Sequence, residues 1–293
     1  MIEIGREVAD ALSGRQPVVA LETTLVAHGF PAGEGLAVGL EAERRVREAG
    51  AVPATVGVFD GALRVGLSET ELERFTPEAR KLGPRDLAAC AVQGAVGATT
   101  VGGTLAACRV AGIGFMATGG IGGVHRGERL DVSADLAELA RTEALVVCSG
   151  VKSLLDVSAT AELLESLGIP TLGFRTDELP LFYTARGGPA VSGIESAEEA
   201  ARIAHAHWQF GRHSALVLAR PPDESLEDVA PLIEQALDEA EQAGVEGQEV
   251  TPFVLARLHE LSGGRTLETN SKLVADNAGL AAEVAVAYAR IAA

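Results

Sequence analysis

The chain has 293 residues, of which 47% are hydrophobic but only 4% aromatic, with 34 glycines. A core of that size must be built from Ala, Val, Leu and Ile packed closely around glycine, the composition of helices layered on a sheet. Forty-one acidic against 24 basic residues give a formal charge of −17; this repels a polyanion and excludes polymeric nucleic acid as an expected partner, although a few local cations and backbone amides can still hold a small phosphate ester.

The N-terminal MIEIGREVAD mixes charges and lacks the apolar stretch of a signal peptide. The most apolar segment, Ala88 to Val124, is interrupted by Gln93 and Arg109 and rich in glycine, so no membrane span is expected. Pro17–Thr24 reads as the first strand, and within it VVALETTL sets Glu22 among apolar and β-branched neighbours. A carboxylate there is costly unless paired, and desolvation would raise its pKa into the range of a proton donor. An exposed strand face is the alternative reading of the same residue.

Ala54–Phe59 is the next strand, and the Asp60-Gly61 pair that follows it predicts a tight hairpin turn and therefore a mixed sheet. Ser68 and Glu71 have the spacing of a capping box. The strand Ile113–Ala117 runs into ATGGIGGVHRG, with glycine at 119, 120, 122, 123 and 127. So much glycine suits close backbone approach to a ligand or positive φ, although a tight turn without a ligand stays open. The spacing departs from GxGxxG because His125 stands where the third glycine would be, which disfavours a dinucleotide fold.

In LDVSADL, Leu130–Leu136, Ser133 is a natural N-cap and Asp135 a first-turn helix charge. Asp131 lies just outside that helix, where an oxygen ligand for a hydrated divalent cation could sit, though two carboxylates alone decide little. Ala144–Cys148 is the next strand, and Lys152 follows just past its C-terminal end, where open α/β sheets place ligands. Partial desolvation there would lower the lysine pKa; a drop of roughly three units from about 10.4 corresponds to about 4 kcal/mol. An ordinary surface lysine opening the next helix is the competing reading.

Thr171–Phe174 and Ser214–Leu218 complete the strands, with a second capping pair at Ser196 and Glu199 and an N-cap at Thr251 followed by Pro252. Arg186–Gly193, RGGPAVSG, is the one loop loose enough to act as a lid. His205 and His207, two apart on a helix, cannot share a face and read as surface or interface residues. Cys90, Cys108 and Cys148 are odd in number and form no CxxC pair, so neither a disulfide framework nor a zinc site is expected and a reducing cytoplasm fits. Strands alternating with helices predict a single α/β domain over residues 1–293, an α/β/α sandwich around a mixed, mostly parallel sheet.

LETTLVAHGFP (21–31), RKLGPRDL (80–87), GATTVGGT (97–104), ATGGIGGVHRG, DVSADL, VVCSGVKSLLD (146–156) and TPFVLARLHELSGG (251–264) together resemble pseudouridine-5'-phosphate glycosidases, relatives of indigoidine synthase A, in order and spacing over nearly the whole chain. The resemblance implies reversible cleavage of the C–C glycosidic bond of pseudouridine 5'-phosphate to uracil and D-ribose 5-phosphate, a divalent cation that is usually manganese, and a homotrimer. By position it assigns the nucleophile to Lys152, the proton donor to Glu22 and the metal aspartate to Asp131. It also assigns substrate contacts to Lys81, Val101, Ser133, Ala134 and Asp135, with Thr118, His125 and Asn270 as further pocket residues. One departure stands out: the family pattern KxSRRDL is here Lys81-Leu82-Gly83-Pro84-Arg85-Asp86-Leu87, which weakens the inference of phosphate binding without removing it.

A C-glycoside has no heteroatom leaving group, so the two-carboxylate route of ordinary glycosidases does not apply and a carbon must be protonated. The resemblance implies instead a ring-opened ribose held as an imine on Lys152, with Glu22 protonating uracil C5; Asp135 is a candidate for handling the ring-oxygen proton. Two other readings stay open: a lysine-dependent aldolase or lyase acting on another sugar phosphate, and a noncatalytic sugar-phosphate-binding protein.

Overall fold

The structure, a computed structural model, describes residues 1–31, 33–127, 131–245 and 250–292. Its strands are β1 (Ile2–Ile4), β2 (Val18–Glu22), β3 (Val52–Phe59), β4 (Ala62–Val65), β5 (Arg80–Leu82), β6 (Gly97–Thr99), β7 (Phe115–Ala117), β8 (Val124–His125), β9 (Leu145–Cys148), β10 (Leu155–Asp156), β11 (Thr171–Phe174), β12 (Ser192–Ile194) and β13 (Leu216–Ala219). All but β8 and β10 join one sheet, along the path β1-β4-β3-β2-β7-β9-β13-β11-β12 with β6 and β5 branching from β3. From β3 to β12 every neighbouring pair is parallel, whereas β4 and β6 run antiparallel to β3. The sheet is thus mixed and mostly parallel, as the alternation of strand and helix predicts.

The apolar residues of the central strands alternate between two cores. Val18, Ala20, Met116, Val146 and Val217 share one with Ala11, Leu105, Leu139 and Ile233 of the helices on that side. Val19, Leu21, Ala117, Val147 and Leu218 share the other with Val46, Ala204, Ala278 and Ala285. Period-two side chains in strands buried on both faces require exactly such a pair of helical layers, so the α/β/α sandwich follows from the pattern itself. The 28-residue helix Arg265–Ala292 is the spine of the second layer, and the small alanines along it permit close approach to the sheet.

Several sequence expectations are refined. Pro17–Thr24 contracts to Val18–Glu22 because Thr23 already occupies the position before the short helix Thr24–His28. Asp60 and Gly61 have φ of +50° and +77° between the antiparallel partners Phe59 and Ala62, the mirror-image geometry that a two-residue hairpin needs. Both Ser68 and Ser196 cap their helices as expected. Thr251 does not: it lies within the helix Val250–Leu261, while residues 246–249 lie outside the described residues. Proline remains tolerated in that first turn because its missing N–H has no intrahelical partner to lose.

The Arg186–Gly193 stretch is pinned instead of loose. Gly187 N–H donates to Glu178 Oε2 at 2.7 Å, Leu179 N–H to Pro189 O at 2.8 Å and Val191 N–H to Asp177 O at 2.9 Å, after which Ser192–Ile194 pairs with β11. Among the described residues no helix is long and apolar enough to cross a membrane. The three cysteines are free and buried, and burial pushes the Cys108 and Cys148 thiols up to about 12.

Candidate functional site

The parallel strands β2, β7 and β9 end on one side of the sheet, where Glu22 is the last residue of β2, Thr118 follows β7 and Lys152 lies past the end of β9. Pairing between β7 and β9 continues past both strands: Ser149 N–H donates to Gly119 O at 2.8 Å, Ile121 N–H to Gly150 O at 3.1 Å and Lys152 N–H to Ile121 O at 3.1 Å. The glycine-rich segment is therefore a rail that carries Lys152 to its place. Its glycines answer mainly to protein side chains. None at 119, 120, 122 or 123 has positive φ, but a Cβ at Gly122 would stand 2.3 Å from Ser133 Oγ and 2.6 Å from Asp135 Oδ2.

Glu22 is 4% exposed at the end of β2. Thr118 Oγ1 donates to its Oε1. Burial pushes the Glu22 carboxyl above the usual carboxylate range; Lys152, the Thr118 hydroxyl and Lys81 oppose that push, and Asp135 adds to it. Of the two readings of VVALETTL, the strand face that carries Glu22 is the buried one. The neighbouring threonine of the same motif is structural: Thr23 Oγ1 donates to Val56 O at 2.7 Å and accepts Thr99 N–H at 2.9 Å, closing the junction where β3 exchanges β2 for β6.

That junction also brings in the second lysine and a helix start. Lys81 lies on β5, paired with Ala98 of β6, and Thr100 caps the helix Val101–Ala111 by accepting Gly103 N–H at 3.3 Å. Gly102 N–H donates instead to Asp135 Oδ1 at 2.7 Å, and Asp135 Oδ2 accepts Gly122 N–H at 2.9 Å. The first-turn charge on the helix Ala134–Leu139 is thus a clamp between the glycine rail and the helix that Val101 opens. Ser133 caps its helix, with Oγ accepting Asp135 N–H at 3.2 Å. Where the family serine and arginine are replaced, Pro84 opens a 3-10 turn over Pro84–Asp86, and Gly83 N–H donates to Asp86 Oδ2 at 3.1 Å.

His125 and Asp131 meet on a small β patch: His125 N–H donates to Asp131 O at 2.8 Å, and β8 pairs with β10 just after Lys152. Burial pushes the His125 imidazole down, Asp131 opposes this, and Lys81 and Lys152 add to it. Asp131 itself is exposed. Among the described residues no group of three or more His, Cys, Asp or Glu side chains could cage a metal. A single exposed carboxylate, with Asp135 engaged elsewhere, fits a hard cation that keeps most of its waters and does not fit a closed zinc-type cage.

These residues line two adjoining lobes. One contains Glu22, Leu25, His28, Gly119, Gly120, Ser153, Phe182, Leu255 and Asn270 among its walls. The other is polar, with Arg85, Thr100, His125, Asp131, Ser133, Ala134 and Asp135. Lys81, Lys152 and Thr251 belong to both. Of the residues expected from sequence, Thr118 is buried and bonded to Glu22, and Val101 is buried next to the polar lobe's Thr100; neither is among the residues that line a lobe. His28, Ser153, Phe182 and Leu255 escaped the sequence reading. His28, Ser153 and Leu255 carried a signal in LETTLVAHGFP, VVCSGVKSLLD and TPFVLARLHELSGG, whereas Phe182 arrives from a distant segment with no local mark.

Residues 7–287 match the family described as indigoidine synthase A like protein. The chain is 44% identical over 302 residues to the pseudouridine-5'-phosphate glycosidase of Escherichia coli (strain K12), covering 100% of this chain and 97% of that protein. It is also 44% identical over 288 residues to the enzyme of the same name from Geobacillus kaustophilus, covering 95% and 96%. The crystal structure of an indigoidine synthase A-like protein from Thermotoga maritima superposes with a TM-score of 0.88 at 40% identity, covering 98% of this chain and 96% of that one. The prealnumycin C-glycosynthase AlnA in complex with ribulose 5-phosphate superposes with a TM-score of 0.90 at 38% identity, covering 100% and 98%. Matched by the family over residues 7–287 and by relatives 44% identical over nearly their whole length, the chain belongs to the indigoidine synthase A-like family.

Proposed function

We propose that the chain cleaves, reversibly, the C–C glycosidic bond of pseudouridine 5'-phosphate to give uracil and D-ribose 5-phosphate, the activity named in its curated relatives. The observation that carries this reading is one cleft lined by both Lys152 and a buried Glu22, whose carboxyl burial pushes above the usual carboxylate range. A related C-glycosynthase bound to ribulose 5-phosphate supports a sugar phosphate as ligand.

In this reading the Lys152 amine adds to C1' as the ring oxygen takes a proton and the ribose opens. Asp135 is the group that handles that proton; each of its oxygens already accepts one backbone amide and keeps a further lone pair. Glu22 delivers its proton to uracil C5, and the nitrogen lone pair displaces the base and leaves an imine between Lys152 and C1'. Water hydrolyses the imine to ribose 5-phosphate and the free amine. Lys81 and Arg85 are the cations for the phosphate, beside the helix start at Val101. Asp131 would hold the divalent cation, manganese by resemblance, which supplies positive charge beside an anionic substrate. Assembly as a homotrimer and a cytoplasmic location complete the proposal.

The test mixes the purified protein with uracil, ribose 5-phosphate and manganese and follows formation of the C–C product. Borohydride should trap ribose 5-phosphate on Lys152, and Lys152→Ala should lower turnover by at least about 10³-fold, a loss of about 4 kcal/mol of transition-state stabilisation. Full activity in that variant, or label on another residue alone, rejects the covalent assignment. Ribose phosphate binding without turnover would favour a noncatalytic binding protein, and release of a product other than uracil an aldolase or lyase.

A further inference from the structure

Phe182 has a φ of +66°, a left-handed backbone conformation that a bulky side chain adopts only where its surroundings impose it. Those surroundings are specific. Phe182 N–H donates to Ser149 O at 3.1 Å, Tyr183 N–H donates to Leu181 O at 2.8 Å, and Leu181 bridges to Gly150. The ring, 4% exposed, lies against the glycine rail, where a Cβ at Gly120 would stand 2.7 Å from it. Tyr183 braces it from behind, edge to face, with centroids 4.7 Å apart. The strain is thus committed to holding one aromatic face on the wall of the lobe that contains Glu22 and Lys152.

The same lobe carries two buried polar atoms without a hydrogen-bond partner, Ser153 Oγ and Asn270 Oδ1, on residues 6% and 2% exposed. Buried polar atoms are nearly always paired, so orphans in a cavity wall point to a ligand that supplies the missing partners. An apolar slot with an aromatic face and polar atoms at hand fits a planar heterocycle bearing amide N–H and C=O groups. The polar lobe, with Lys81, Arg85 and His125, fits the charged sugar phosphate.

We infer that Phe182 and Ser153 are specificity-determining residues for the base: Phe182 offers its ring to the flat face of the pyrimidine and Ser153 Oγ bonds its amide edge, next in the chain to the lysine that holds the sugar. The inference rests on the proposed function and deepens it. A relative that joins a different aglycone to the sugar would then differ in this lobe and not in the polar one.

Two measurements on the full-length protein separate the lobes: the KM for uracil in the synthesis direction, and the rate of borohydride trapping of ribose 5-phosphate on Lys152 without uracil. Phe182→Leu and Ser153→Ala should each raise the uracil KM about tenfold with the trapping rate unchanged. Phe182→Tyr, which restores an aromatic face, should keep the KM within about twofold of the original. An unchanged uracil KM in both variants, or trapping that falls in step with it in both, overturns the inference while leaving the activity in place. No uracil turnover by the unmutated protein overturns the proposed function and this inference together.

Discussion

Glu22 illustrates how one buried charge makes both stability and chemistry depend on pH. Its pKa in the folded chain lies above the unfolded value because burial disfavours the ionised form more than Lys152 and Thr118 favour it. The folded chain therefore keeps a proton over a window in which the unfolded chain has lost it. Stability from this group is fully present below the ordinary carboxylate pKa and is lost as pH rises through the folded value. Glu22→Gln keeps the shape and the acceptor for Thr118 but removes the titration. The unfolding free energy of the unmutated protein, from urea titrations, should fall relative to that of the variant as pH rises above the ordinary carboxylate range, with a slope approaching about 1.4 kcal/mol per pH unit while only the folded chain holds the proton. A gap independent of pH would mean that Glu22 is already ionised at no cost in the fold.

At the scale of elements, Asp135 clamps two segments together at the wall of the cleft. Its carboxylate accepts Gly102 N–H from the first turn of the helix Val101–Ala111 and Gly122 N–H from the glycine rail. Asp135→Asn leaves one acceptor oxygen and turns an NH2 group toward the other amide. That change should cost about 1–3 kcal/mol of unfolding free energy, the penalty of a buried donor without a partner. A loss under about 0.5 kcal/mol would show that the two segments are held by packing alone. The serine and aspartate of DVSADL are legible in sequence as a cap and a first-turn charge, and both descriptions hold. What the motif could not reveal was the identity of the amides, since Gly102 is 33 residues away in the chain.

For the whole molecule, we propose that residues 1–293 fold as one unit, because the helix Arg265–Ala292 packs across β2, β7 and β9 and shares its core with helices Glu34–Glu48 and Ala197–Gln209. Urea unfolding followed by the fluorescence of Trp208, which packs against Phe115 and Tyr288, should coincide with unfolding followed by far-ultraviolet circular dichroism. Separate transitions would divide the chain into two cooperative units. The amino-acid sequence by itself determined the layered α/β architecture, the hairpin at Asp60-Gly61, the two serine caps, the place of Glu22 in an apolar strand and that of Lys152 just past a strand end, because periodicity, turn chemistry and a charge in an apolar run are local properties. Only the tertiary structure decided that Thr251 lies inside its helix, that Arg186–Gly193 is pinned, and that Phe182 and Leu255 wall the cleft, because those outcomes depend on backbone partners and side-chain neighbours brought in from elsewhere in the chain.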